Sequence, residues 1–316
     1  MIWIVFISMI IVFLALDLGI FNREAHVISM KEASYWTALW VTIALSFTAA
    51  VYYIYAHALV ANPTDLTPRD AAINYVTGYL IELSLSIDNI FVIAVIFSSF
   101  KIPMKYQHRV LFWGILGAIV FRALMILFGV VLINRVSWMI YVFGVFLIYT
   151  AFKMLKSGDG EFDPRDSWVF KQIRKIMPIT KDFEGEKFFV KKKHIRAATP
   201  LFIALMVIEV TDVLFALDSV PAIIAITSDP FLVFSSNILA ILGLRSMYFF
   251  LSNMLEKFVY LEYSLIAILT FVGVKMLLSH VYHIPNLVSL GIILSCLLLG
   301  IVASLIGSSS SKAKKP

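Results

Sequence analysis

Charge and cysteine are what this 316-residue chain has least of. Asp, Glu, Lys and Arg make up 15% of it, against 61% hydrophobic and 14% aromatic residues. One water-soluble core cannot bury that much apolar side chain, so a soluble globular domain is excluded, and a disordered chain with it. The one cysteine, Cys296, lies in the last apolar run. No intrachain disulfide can form, and thiol redox chemistry lacks a second sulfur. No positively charged stretch precedes the first apolar run, which is long and carries Asp17; it reads as a retained helix rather than a signal peptide. The chain contains no His-Glu-x-x-His, serine-nucleophile or Gly-rich phosphate-loop motif, so no enzyme is expected.

What is present is a series of apolar runs of about 20 residues, each long enough to cross about 30 Å of hydrocarbon as a helix. The expected fold class is therefore an all-α polytopic membrane protein. Windows bounded by charge, Pro, Asn or Gly predict nine spans: 1–20, 35–59, 72–97, 108–133, 137–155, 198–226, 231–255, 259–279 and 285–306. The connections alternate in charge. One set holds twenty-one lysines and arginines, twelve of them between 153 and 196, and the other holds only Arg69 and Arg135. By the positive-inside rule this places the N-terminus outside and the C-terminus in the cytoplasm. Topology thus accounts for the formal net charge of +6, and no nucleic-acid partner is expected even at Lys191, Lys192 and Lys193. Membrane lipid is the expected surrounding, with Tyr35, Trp36, Trp138 and Tyr141 near span ends as an interfacial belt. The stretch 156–196 reads as a solvated or headgroup-bound linker, with an amphipathic helix or a hairpin as the alternative for its phrases SWVFKQIRKIMPI and EKFFVKKKHIR.

Two segments read alike: IELSLSIDNIFVI at 81–93 and TDVLFALDSVPAI at 211–223. Glu82 aligns with Asp212, Asp88 with Asp218 and Asn89 with Ser219. The next span holds Arg122 in one copy and Arg245 in the other, and the third ends in FKML or VKML. Two units of three helices follow, and because three is odd the second runs inverted, as in many secondary transporters. The expected organisation is two N-terminal helices at 1–71, a first unit at 72–155, a cytoplasmic basic loop at 156–197, an inverted second unit at 198–280, and a final helix with a basic tail at 281–316.

Each charge within a bilayer costs about 2.5 to 3.5 kcal/mol, yet Asp17, Glu82, Asp88, Glu209, Asp212 and Asp218 all fall in predicted spans. Arg122 and Arg245 are the mid-span cations, while Lys153 and Lys275 lie near span ends where they can snorkel. The surplus acids are either protonated or neutralised by a bound cation, and alternation between those conditions describes a proton-linked cation site. Acids six residues apart on a regular helix are about 120° apart and about 9 Å along its axis. Convergence on one ion therefore needs facing helices or a broken helix, and Pro221, three residues after Asp218, is the expected break. Glu209 and Asp212, three apart, share a face. Carboxylate, amide and backbone oxygens suit hard divalent ions such as Mn²⁺, Mg²⁺ or Ca²⁺ rather than copper or zinc. The competing reading is a fixed salt-bridge lattice in which Asp88 and Asp218 pair with Arg122 and Arg245. His280 and His283 read as interfacial residues, as do the remaining histidines.

The blocks TGYLIELSLSIDNIFV at 77–92, IEVTDVLFALDSVPAI at 208–223, DPFLVFSSNILAILGLRSMYF at 229–249 and HIPNLVSLG at 283–291 give a sequence that resembles the TerC/Alx family over nearly its whole length. The resemblance implies a bacterial inner-membrane protein linked to manganese export, with relatives tied to tellurite resistance and to metalation of secreted proteins. It also implies metal-site acids at Glu82, Asp88, Glu209, Asp212 and Asp218; Asn89, Ser219, Arg122 and Arg245, which correspond between the two copies of the repeat, are the expected supporting residues. No prosthetic group is expected. The transported ion, Mn²⁺ or another hard divalent cation, with protons as counter-ion, is the expected cargo, and a metal-delivery or stress-response scaffold is the alternative.

Overall fold

A computed structural model describes residues 2–19, 28–136, 138–156, 168–180, 183–192, 195–252, 261–278, 281–282 and 284–312. The side chains of Asp17 and Asp88 lie outside this description, as do His26, His194, His280 and His283. The chain runs α1 (Ile2–Gly19), α2 (Met30–Ala56), α3 (Pro68–Ser99), α4 (Met104–Arg135), α5 (Met139–Lys156), α6 (Trp168–Ile176), β1 (Phe189–Lys192), β2 (Ile195–Ala198), α7 (Pro200–Ile224), α8 (Pro230–Leu242), α9 (Leu244–Ser252), α10 (Leu261–Leu278) and α11 (Asn286–Lys312).

Helix starts follow local chemistry. Ser29 caps α2 by accepting from the Glu32 amide, and Thr67 caps α3 by accepting from the Asp70 amide with Pro68 in the first turn. Asp229 caps α8 by accepting from Phe231 and Leu232, ahead of Pro230. Among the described residues, α2, α3, α4, α7 and α11 are each long and apolar enough to cross a membrane, and α8 with α9, bent by 45°, can form a sixth crossing. Each of the nine sequence windows coincides with a helix or with the α8–α9 pair. Against the nine crossings expected, five or six are thus seen among the described residues; α1 and α10 add the shorter apolar stretches Ile2–Leu16 and Tyr263–Leu278, and α5, at 18 residues, rises about 27 Å.

The helix α7 is the axis of the molecule. It packs on α3 and α4, while α3 packs on α8 and α5 runs along α10. Glycine permits the last pairing: a Cβ on Gly144 would lie 3.0 Å from the Gly273 carbonyl oxygen, so the backbones of α5 and α10 touch there. The helix continues through Pro221 and ends at Ile224, so the expected opening at that proline is absent. The helix break falls instead at Gly243, between α8 and α9, where a Cβ would meet that of Trp40 at 3.3 Å.

The described part of the basic stretch, residues 168–180 and 183–192, is folded. It contributes α6 and an antiparallel β1–β2 pair in the register Phe189 with Ala198 and Lys192 with Ile195. Ile173, Met177, Phe183 and Phe188 pack against the core cluster that includes Phe97, Val110 and Leu201, and Arg109 pairs with Glu186 at 3.2 Å and covers the Phe188 ring. Its few apolar residues, spaced among charges, suffice because they dock on the ends of larger helices instead of forming a core of their own.

Candidate functional site

Arg122, 1% exposed, projects from the middle of α4 into the contact between α3 and α7. Burying a guanidinium requires carboxylate partners with good geometry, and it has two. Nη1 is ion-paired with Glu82 of α3, and Nη2 and Nε form a fork on Asp212 of α7 at 3.0 and 3.4 Å. Nη1 also donates to Asn237 Oδ1 of α8 at 3.3 Å. Asn89 of α3 donates its amide to Asp212 Oδ1 at 2.8 Å. Four helices therefore meet at one cation near their midpoints.

Glu209, one turn before Asp212 on α7, lies against α4 at Gly117, and its carboxylate fills the space a Cβ there would need. The Asp212 carboxylate is near enough to act on it electrostatically. Among the described residues Glu209 Oε2, Asn89 Oδ1, Ser86 Oγ and Ser219 Oγ are buried with no hydrogen-bond partner, a set of hard oxygen donors in a medium where unsatisfied polar atoms are costly. A cavity of about 20 Å³, lined by Asn89, Asp212, Gly114, Ile241 and Leu244, has room for about one water and borders the Gly243 break. No three His, Cys, Asp or Glu side chains among the described residues are grouped closely enough to hold a metal ion; the guanidinium occupies the place between Glu82 and Asp212.

Asp218 stands apart from this cluster. It is half-buried and accepts from Thr150 of α5 at 3.0 Å, with Lys153 acting on it electrostatically. Arg245 is buried on α9 and lies 3.0 Å from His108 Nε2, so neither Asp218 with Arg122 nor Asp218 with Arg245 is an ion pair. Ser219 is buried on α7. Two residues of the cluster escape the sequence reading: Asn237, an amide that follows Ser235 and Ser236 in the buried helix α8, and Gly117, five residues before Arg122. A polar residue within a span is the signal that marks the first; nothing in the sequence marks the second.

Helices, buried charge and composition define an integral, multi-pass α-helical membrane protein. The chain belongs to the TerC family: residues 67–312 match the integral membrane protein TerC family. It is 49% identical over 306 residues to the uncharacterized membrane protein STKORF319 of Myxococcus xanthus, covering 97% of this chain and 92% of that one. An uncharacterized membrane protein of Rickettsia bellii is 44% identical, over 96% of this chain and 97% of its own. The Escherichia coli K12 relative, named as a candidate membrane-bound redox modulator, Alx, is 42% identical over 95% of this chain and 92% of its own. No solved structure matches the chain.

Proposed function

We propose that this protein exports a hard divalent cation, Mn²⁺ first, across the bacterial inner membrane, by alternating access at the carboxylate cluster around Arg122. One observation carries the reading: Glu82 and Asp212 are both paired with the single guanidinium of Arg122, and a third acid, Glu209, stands one turn before Asp212 on α7 against Gly117. When the three are ionised, one positive charge leaves two negative charges over, the complement of a divalent ion. The free oxygens of Asn89 and Glu209 are ligands of the hardness such an ion prefers.

In this reading Arg122 holds the place of the cargo. The ion enters, Arg122 yields Glu82 and Asp212 and keeps Asn237 as a neutral acceptor, and the carboxylates close on the metal. Return of Arg122, or protonation of the acids, releases it on the other side. The break at Gly243 beside the small cavity supplies irregular backbone where a membrane interior tolerates it, lining a polar site. The packing of α4 on α7, of α3 on α8, and of α5 on α10 is the pattern that two inverted three-helix units, α3 to α5 and α7 to α10, require. Asp218 with Thr150 serves as a separate station on the route, and Asp88 completes the set of acids.

The test is Mn²⁺ flux in proteoliposomes containing the purified protein alone. Flux that falls at least tenfold in Glu82→Gln and in Asp212→Asn, with both variants still monodisperse in detergent, is the expected result; undiminished flux in both rejects the site. Flux indifferent to an imposed pH gradient removes the proton from the scheme. A second reading rests on the folded α6–β1–β2 segment: a scaffold that passes metal to a stress-response or secretion complex, in which flux appears only when a partner protein is added. The redox description given to the Escherichia coli relative suits this chain less, since its single thiol, Cys296, has no intrachain partner.

A further inference from the structure

At the C-terminal end of α7, away from Arg122, lies a cavity of about 460 Å³, the size of a small-molecule site. Its walls carry two opposite charges that do not pair with each other. Lys275 of α10 is 7% exposed, and its Nζ donates to Asn286 Oδ1 at 3.2 Å and to Ser289 Oγ at 3.0 Å. Both acceptors are neutral. No carboxylate among the described residues is ion-paired with it, and an ammonium has three donors, so one remains. Asn286 opens the 27-residue α11, whose free first-turn amides add partial positive charge at the same wall. The first turns of α3 form the other wall. There Asp70 accepts from Thr67 Oγ1 at 2.6 Å, and Asn74, 2% exposed, leaves its Oδ1 without a donor among the described residues. Ile140, Ile226 and Met276 line the space between.

We propose that this cavity binds a small zwitterion, a free α-amino acid or a similar ammonium carboxylate. The carboxylate takes the third Lys275 donor and the α11 amides, the ammonium faces Asp70 and donates to Asn74 Oδ1, and an apolar side chain lies on Ile140, Ile226 and Met276. A plain anion would face Asp70 and a plain amine would face Lys275, so each half alone meets a charge of its own sign.

Equilibrium binding to the full-length protein in lipid nanodiscs, by calorimetry, tests this with L-alanine, L-leucine, propionate, propylammonium and inorganic phosphate as probes. The expected result is saturable binding of at least one amino acid, tenfold or more tighter than propionate or propylammonium, and weakened at least tenfold by Lys275→Gln and by Asp70→Asn. Asp70 is half-buried in the first turn of α3, and an asparagine there can still accept from Thr67 Oγ1, so Asp70→Asn keeps the test decisive should Lys275→Gln fail to fold. The proposal is overturned if neither amino acid binds, if phosphate or propionate binds as tightly as the amino acids, or if Asp70→Asn leaves affinity unchanged.

Discussion

Arg122 touches Glu82, Asp212 and Asn237 at once, and removing one member of such a buried set costs about 3 to 5 kcal/mol because the others keep their charge. If the guanidinium stands in for cargo, the loss is recoverable. Arg122→Gln is expected to lower the melting temperature in metal-free buffer and to regain more of it on adding Mn²⁺ than the parent protein gains; thermal unfolding with and without the ion measures both, and equal gains would argue against substitution of one cation for the other. Gly117 gives a subtler handle. A methyl there collides only with the movable end of Glu209, so Gly117→Ala is expected to leave the fold intact while displacing that carboxylate and reducing flux severalfold in the liposome assay. Of this cluster, the intramembrane acids and Arg122 are visible in the sequence, because charge among apolar residues is conspicuous. The partition of Asp212 from Asp218 follows from their six-residue spacing, which turns one toward α4 and the other toward α5. What the sequence hides is the pairing across helices: nothing local says that Arg245 of α9 meets His108 of α4.

Hydropathy places each membrane helix to within a few residues, since a run that must sit in hydrocarbon has little freedom in where it starts. Irregularities are harder. Pro221 is accommodated within the last turn of α7, whereas Gly243 interrupts the α8–α9 path with no proline at all. The α5–α10 contact shows what glycine does between helices: Gly144 and Gly273 each approach the other's carbonyl oxygen, at 3.0 and 2.9 Å for an added Cβ. Gly144→Val is expected to cost about 1 to 3 kcal/mol through overpacking and to lower the yield of folded protein. Gly291→Ala in α11, where an added Cβ meets nothing within 4 Å, serves as the silent control; size-exclusion profiles after heating compare the two.

Across the whole molecule, the folded basic segment and the zwitterion cavity sit at opposite ends of α7, a helix of 25 residues and about 37 Å. That separation makes orientation measurable. With Cys296 replaced by serine, a cysteine at Val281, 86% exposed, is expected to react with a membrane-impermeant maleimide added outside intact cells, and one at Ile176, 79% exposed, only after lysis; the reverse order would invert the topology.

The TerC match begins at residue 67, so α1 and α2 lie upstream of the matched residues. Even so, α2 packs on α3 and α9, and the Trp40 side chain presses on the Gly243 joint. These two helices are thus a brace, and Trp40 is its wedge. A chain trimmed to begin at residue 67 would keep Glu82, Asp88, Glu209, Asp212 and Asp218 and lose the splint that sets the angle between two half-rods.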